Sequence, residues 1–486
     1  MIHRPSRRGF LQSVALATGA VLAGPYIVRA QNLNREKLRF AFIGTGGQGN
    51  SHLYLADAEH PLGGVCTAYC DVDTGPRARA RISTLAPNAP SYTDFRQMLE
   101  KHEKEIDAVV VAIPDHSHAA ASMMAMKMGK HVYCEKPLTW SIHEARVMAE
   151  AAQKYRVATQ MGNGGHANEG NRIVVEYIRS GVLGDITEIH TWTNRPVWPQ
   201  SIARRPPAKP VPPNLDWDCW IGPAPYREYH DGLHSFDWRG WFDFGCGDVG
   251  DMGCHTWDCV FWAMEPDYPS SVELVRIVDR CEETFPRQSI IKWTFPPKRS
   301  GRHDGAVRPG FEAYWYSGGL KPPVPEEIMN DPTRQPPPPT TQPAERQGAR
   351  RGGGQQRDPR QLSASGSLFI GTKGKLYVQG DYGDSPRLIP ESFHQQVGRP
   401  PRLLARSIGH MQEWVRACKA ERPYDSAGSN FTHYAAPITE VMHLGAIAVR
   451  IGEVGFKIEC DPENRTIKTP EAQKYYHREY RKGWTL

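Results

Sequence analysis

From Leu38 onward, short apolar runs alternate with segments whose apolar residues recur at helical spacing. The runs 38–43, 65–70, 106–113 and 131–134 read as strands, and the near-continuous Val and Ile of 106–113 suit a strand covered on both faces. Helical patterns fall between and after them at 48–60, 77–85, 92–101, 117–128 and 141–155. This alternation predicts an α/β fold, with an N-terminal Rossmann domain built on a doubly wound parallel sheet over 37–160. Beyond 160 the texture changes to aromatic-rich strands at 186–193, 271–278 and 289–295, a hairpin at 367–378 and helices at 403–420 and 437–451. A C-terminal α+β substrate domain with a mainly antiparallel sheet is expected over 161–486. Within it, nine prolines between 322 and 343 precede Arg350-Arg351-Gly352-Gly353-Gly354-Gln355-Gln356. That composition supports no packed core, so 320–362 is expected to be a disordered surface insertion.

The first thirty residues break the pattern. Ser6-Arg7-Arg8-Gly9-Phe10-Leu11-Gln12 precedes the apolar run 14–23, and Val28-Arg29-Ala30 closes the segment. The run is well short of the ~20 residues that a spanning helix needs. Residues 1–30 therefore resemble a twin-arginine signal peptide more than an anchor, with an uncleaved tether left open. The resemblance implies passage of the folded chain through the twin-arginine translocation machinery to the periplasm or another exported location, with no stable membrane span after cleavage. The leader holds Arg4, Arg7, Arg8 and Arg29 and no acid, so without it the formal charge drops from +6 to +2. A nearly neutral chain lacks the electrostatic footprint of a nucleic-acid binder, and the arginine–glycine run near 350 reads as a solvated loop. The ten cysteines include no paired CxxC spacing, so no metal site is expected. Cys246, Cys254 and Cys259 read as core thiols.

Gly44-Thr45-Gly46-Gly47-Gln48-Gly49 follows the first strand and opens the first helix, and Asp71 ends the second strand. In that context Gly44 makes the tight turn, Gly46 lets backbone N–H groups approach a pyrophosphate and Gly49 permits close helix packing. Gly47 and Gln48 complete the loop, and the helix N-terminus meets the anion. Asp71 is placed to accept from a ribose 2′-hydroxyl and to repel a 2′-phosphate, which favours NAD. A turn aspartate is the alternative, and Arg77 and Arg79 leave NADP open.

Ile113-Pro114-Asp115-His116-Ser117-His118 and Cys134-Glu135-Lys136-Pro137-Leu138 end two more strands, at the carboxyl edge where doubly wound sheets bind ligands. Taken in order with the glycine loop and Asp251-Met252-Gly253-Cys254-His255, these runs resemble the Gfo/Idh/MocA oxidoreductase family over 37–320 and 363–455. The resemblance implies that Pro114, His118, Glu135 and Lys136 contact the cofactor. It also implies that Lys136, aimed by the Lys136-Pro137 bond, touches a substrate hydroxyl, and that Asp251 and His255 are the substrate contact and acid–base residue. Read without the family, Asp251 and His255 share a helix face and a histidine titrates near working pH. A capping aspartate with a core histidine, and a snorkelling lysine at 136, are the plain alternatives. Asn163, His166, Asn194, Arg195 and Arg239 are substrate-binding candidates. Their neighbours Trp192, Trp238 and Trp241 have equal claim to the core.

These readings point to an exported oxidoreductase acting on CH–OH groups. It would move hydride between a secondary hydroxyl of a sugar, sugar acid or cyclitol and a nicotinamide cofactor, with His255 as base and Lys136 beside the developing oxyanion. Because no soluble NAD pool is expected outside the cytoplasm, the cofactor would be retained. A redox-neutral glycoside hydrolase or lyase working by transient oxidation and elimination is the alternative, and a non-catalytic sugar-binding protein is a third. The family resemblance further implies a homo-oligomer, a dimer or tetramer.

Overall fold

The computed structural model describes residues 36–299, 307–333 and 358–486; the predicted leader, 1–30, lies outside the described residues. Six parallel strands form the first sheet: β1 (Arg39–Ile43), β2 (Val65–Cys70), β3 (Ser91–Tyr92), β4 (Ala108–Val111), β5 (His131–Cys134) and β6 (Thr159–Met161). Their order is β3-β2-β1-β4-β5-β6, the doubly wound arrangement. All four residues of β4 are buried, as expected for a strand covered on both faces. Backbone bonds carry the sheet past its strand ends: Gly44 N donates to Cys70 O (2.8 Å), Ala112 N to Ile43 O (2.8 Å) and Glu135 N to Val111 O (2.9 Å). The glycine loop, the Ala112–Pro114 turn and Glu135-Lys136 thereby stand side by side on one edge.

The local elements differ from expectation in three places. The helix expected at 48–60 is a 3-10 helix, Gly47–Ala56, opened by glycine, asparagine and serine, which are weak α formers. The segment 92–101 divides into β3 and the helix Phe95–Lys101, because Asp94 caps that helix by accepting from Arg96 N. Helix 403–420 shortens to His410–Cys418, since Gly409 at φ 120° breaks it and Leu403 N and Leu404 N donate to Glu176 instead. Ser141 and Glu144 form a complete capping box at the helix Ile142–Tyr155.

The second sheet holds β7 (Ile186–Trp192), β8 (Ser271–Val278), β9 (Gln288–Phe295), β12 (Phe311–Tyr316), β13 (Gly366–Gly371), β14 (Lys375–Gln379), β15 (Asp384–Ile389), β16 (Lys457–Asp461) and β17 (Thr466–Ile467). A short ladder, β10 (Lys298–Arg299) with β11 (Val307–Arg308), stands apart. The sheet is antiparallel except where β12 runs parallel to β7. On its inner face the helix Ala436–Ile451 lies against β9, where Trp293 Nε1 donates to Val441 O at 3.0 Å. A Cβ on Gly445 would stand 2.4 Å from the Trp293 ring, so only glycine permits this approach.

The insertion expected to be disordered is ordered at both ends. Ile328 and Leu362 are buried beside Trp192, Tyr316 and Tyr377, and Lys321 Nζ donates to Leu362 O at 2.9 Å. Leu320, Val324, Ile328 and Leu362 supply the apolar surface that the neighbouring prolines lack. Residues 334–357 lie outside the described residues. All ten cysteines are free thiols. No helix among the described residues is long and apolar enough to cross a membrane.

Candidate active site

A cavity of about 340 Å³ runs along the carboxyl edge of the parallel sheet, from the glycine loop to Lys136 and Arg239. The loop fits against the sheet because two positions carry no side chain. A Cβ on Gly44, where φ is 85°, would lie 2.2 Å from Ala112 O, and one on Gly49 would lie 2.2 Å from Gly44 O. Gly47, by contrast, faces open space at the cavity. The Asp71 carboxylate also lines the cavity and orders the loop: Oδ2 accepts from Thr45 N (2.9 Å) and Gly46 N (3.1 Å), and Oδ1 from Asp73 N (3.0 Å). It acts both as a turn aspartate and as a cavity wall, with acceptor capacity to spare. Asp73 and Asp94 line the same end, where Asp94 is paired with Arg96 (2.8 Å). Three carboxylates there suit ribose hydroxyls better than an added phosphate. Of the two arginines that left NADP open, Arg77 lines the cavity, and Arg79 donates to Ser91.

Among the described residues no group of three or more His, Cys, Asp or Glu is arranged to hold a metal ion. A dinucleotide fits the residues present: a glycine-lined cradle, backbone N–H groups at a helix start and carboxylates at the ribose end.

At the other end, Lys136 Nζ pairs with Asp251 Oδ1 at 2.7 Å and donates to Asp251 O at 3.0 Å. The Lys136-Pro137 bond is cis. Arg239 Nε lies 3.5 Å from the same Oδ1, its guanidinium 4.3 Å from the centre of the Trp238 ring. Burial alone would raise the Asp251 carboxyl, but Lys136 and Arg239 outweigh it and hold it at about 2. Burial likewise works against the Lys136 charge, yet Asp251 keeps its pKa above the ordinary lysine value. Both residues are therefore ionised across the neutral range.

His255 lies one turn beyond Asp251 on the helix Gly247–Thr256. Burial, reinforced by the Lys136 charge, pushes its pKa down to about 3, and its buried Nδ1 has no hydrogen-bond partner. The imidazole is neutral and able to accept a proton. Tyr382, on the turn between β14 and β15, stands edge-on to it with ring centroids 4.9 Å apart. The neighbouring Asp381 accepts from Thr256 Oγ1 at 3.4 Å, and its carboxyl is raised by burial against the opposing pull of Arg195. Arg195 bonds its neighbour Asn194, Nη1 donating to Oδ1 at 2.9 Å, and neither residue lines the cavity.

Glu135 and Gln48 line the cavity and meet each other, Gln48 Nε2 donating to Oε1 at 3.4 Å. His52 Nε2 bonds the same oxygen at 2.7 Å. Against the effect of burial, that bond and the Lys136 charge bring the Glu135 carboxyl down to about 2.

Three candidates stand elsewhere. His118 is not on the cavity: its ring nitrogens face Pro137 O (2.8 Å) and Ile113 O (2.7 Å), so it ties two strand-end turns together behind the wall. Pro114, by contrast, does line the cavity. Asn163 and His166 are buried on Asp258, whose Oδ1 accepts from Asn163 Nδ2 (3.0 Å) and lies 3.0 Å from His166 Nδ1. Asn171 (2.9 Å) and the Tyr434 hydroxyl (2.8 Å) complete the shell. A carboxylate that is 1% exposed needs such donors, and these side chains satisfy it instead of facing a substrate. Trp192 and Trp241 are core residues, with Nε1 bonded to Ser363 O and Gly232 O, whereas Trp238 lines the cavity.

The structure adds Asp115 to the site. Its buried carboxyl lines the cavity and accepts from Cys246 N at 3.1 Å. Burial, aided by Asp251 and opposed by Arg239 and Lys136, pushes its pKa up to about 7. The residue stood beside Pro114 in the motif, but only the fold reveals that its side chain turns into the cavity.

Two models of one oxidoreductase family match the chain: its NAD-binding Rossmann fold over residues 38–163 and its C-terminal α/β domain over 178–285. Inositol 2-dehydrogenase of Salmonella typhimurium is 28% identical over 154 residues, 32% of this chain and 45% of that protein. Glycosyl hydrolase family 109 protein 1 of Akkermansia muciniphila is 26% identical over 237 residues, 38% of this chain and 47% of that protein. The chain thus spans about half the length of these curated relatives. The WlbA dehydrogenase of Chromobacterium violaceum, solved with NADH and UDP-GlcNAcA, shares the fold at 15% identity and a TM-score of 0.55, over 88% of this chain and 97% of that one. With its Rossmann domain followed by the matching C-terminal α/β domain, the chain belongs to the Gfo/Idh/MocA family of oxidoreductases.

Proposed function

We propose that this chain is an exported oxidoreductase that transfers hydride between a secondary hydroxyl of a sugar, sugar acid or cyclitol and a tightly held NAD. The observation that carries the reading is the junction at Lys136. The dinucleotide cavity ends there, and Asp251 joins Lys136 to Arg239 one helical turn from a neutral His255. When bound, NAD supplies the hydride acceptor. Lys136, kept charged by Asp251, stabilises the substrate oxygen as it loses its proton. His255, kept neutral by burial and the lysine charge, takes that proton on a ring nitrogen. Asp251, itself paired with Arg239, holds Lys136 in place, and Tyr382 with Arg195 forms the substrate's outer wall.

The likeness to an inositol dehydrogenase supports a polyhydroxylated substrate. The likeness to a glycosyl hydrolase family 109 protein favours a second reading on the same site, redox-neutral glycoside cleavage. The resemblance of residues 1–30 to a twin-arginine leader supports export, and the mixed outer face of β9 and β12, with Ile290, Lys292, Glu312 and Tyr314, suits pairing of copies into a dimer or tetramer.

The test is mass spectrometry of small molecules released by denaturing the purified chain, followed by hydride exchange between sugar pairs and cleavage of aryl glycosides without added cofactor. Near-stoichiometric NAD with exchange supports the first reading, and glycoside cleavage supports the second. A chain that is empty and takes up neither NAD nor NADP overturns both.

A further inference from the structure

The last residues of the chain, beyond both family matches, have no part in the chemistry above, yet they reach the cavity. After the helix Pro470–Gln473 the chain crosses the boundary between the Rossmann domain and the segment 215–245. It is fastened to both. Arg478 donates to His116 O (2.8 Å) on one side and Asp243 O (2.9 Å) on the other. The Tyr480 hydroxyl donates to Glu144 Oε1 (2.7 Å), and Arg481 Nε and Nη2 donate to Gly222 O (3.1 Å) and Asp218 O (2.9 Å). At the tip, Arg96, already held by Asp94, donates to Gly483 O (2.9 Å) and lies 4.0 Å over the Trp484 ring. Trp484 packs on Phe95 with centroids 5.7 Å apart and is 7% exposed.

Trp484 and Phe95 both line the cavity, together with Thr93, Asp94 and Cys219. Thr93 to Phe95 follow β3 and Asp71 follows β2, the strands that flank the adenosine end in this strand order. We infer that the C-terminal segment 478–486 is a clasp on the adenosine end of the bound dinucleotide, with Trp484 as a wall of its pocket and Arg96 as the latch. This rests on the dinucleotide reading proposed above and names what holds the cofactor in. Release of the cofactor requires the clasp to open, and by linkage a bound cofactor keeps it shut.

The experiment uses the full-length chain loaded with NADH and follows loss of NADH fluorescence during a chase with excess NAD. Trp484→Ala is expected to speed release at least about tenfold, the loss of one aromatic wall, and Trp484→Phe to restore most of the slow rate. Arg481→Ala, which loosens the clasp without touching the cavity, is expected to speed release as well and keeps the test open if Trp484→Ala does not fold. Loading should also protect the tail of the unmodified chain against carboxypeptidase. Release at the unmodified rate from the folded variants overturns the clasp and leaves the dinucleotide reading standing. An unmodified chain that takes up no dinucleotide overturns that reading, and the clasp with it.

Discussion

The two ends of the site are assembled in different ways. At the dinucleotide end, Gly44 to Gly49, Asp71, Pro114, Glu135 and Lys136 are all strand-end residues of one sheet, and the parallel topology alone lines them up. At the other end, beyond Lys136, Arg195, Arg239, His255 and Tyr382 come from four separate segments of the C-terminal domain, brought together only by tertiary packing. The first end is therefore tolerant of change outside its loops, whereas the second depends on a buried polar framework that holds its helix and turns in place.

The largest expected effect falls where the two ends meet. His255→Ala removes the group able to take the hydroxyl proton while leaving the dinucleotide cavity intact. Turnover should drop about 10²–10⁴-fold, with NAD binding measured by calorimetry unchanged. Turnover at the unmodified rate would remove His255 from the chemistry.

Next comes the framework itself. Asp258 gathers Asn163, His166 and Asn171 from one stretch of the chain and Tyr434 from another, far along it. Asp258→Ala leaves Asn163 and His166 without their buried carboxylate partner, strips Asn171 and Tyr434 of one of their two acceptors, and is expected to destabilise the chain by about 3–5 kcal/mol. Denaturant unfolding measures this. A loss below about 1 kcal/mol would mean that the framework is incidental to the second end.

The same contrast decides how much could be read from the sequence. The strand–loop–helix context of Gly44 to Gly49, with Asp71 at the next strand end, specifies its own geometry, so that end was legible residue by residue. Lys136, Asp251 and His255 were legible as residues, but their convergence depends on how the helix Gly247–Thr256 packs against the turn after β5. Asn163 and His166 were misassigned to the substrate because planar donors serve a buried carboxylate as readily as a sugar, and nothing in the local sequence marks Asp258 as the acceptor. His118 stands in a cofactor motif, yet its ring is enclosed between two backbone carbonyls, behind the cavity wall. Tyr382 and Trp484 were missed because each reaches the site from far along the chain. The Gly380-Asp381-Tyr382-Gly383 turn, an aromatic between two glycines of positive φ, was the one available hint.

A smaller effect separates the ends kinetically. Tyr382 is 40% exposed and touches His255 but not the dinucleotide cavity. Tyr382→Ala should raise the KM for the sugar about tenfold, the cost of one aromatic contact, and leave the affinity for NAD unchanged. Equal weakening of both would merge the two ends into one.

The smallest expected effect is on pH dependence. With His255 at about 3, Asp251 at about 2 and Lys136 raised, these three groups hold their charge states from about pH 5 to 8. Asp115, which lines the cavity, titrates at about 7, inside that window. Its folded pKa stands above the ordinary carboxylate value, so the folded chain binds the extra proton between about pH 4 and pH 7. The stability it contributes is complete below pH 4 and is lost as pH rises through 7. The buried histidines His116, His131, His410 and His443, lowered to about 3 or 4, act in the opposite sense, since the unfolded chain then binds more protons and stability falls as pH drops below 6.5. Only the difference between the unmodified chain and Asp115→Asn isolates the carboxyl. That variant should lose the part of the decline in stability between pH 4 and 7 that belongs to Asp115. It should also remove a few-fold inflection in kcat/KM near pH 7, because a carboxylate that appears beside Lys136 and Arg239 competes with Asp251 for both cations. Superimposable pH profiles would show that Asp115 keeps one protonation state throughout and that its contact with the Cys246 amide is purely structural.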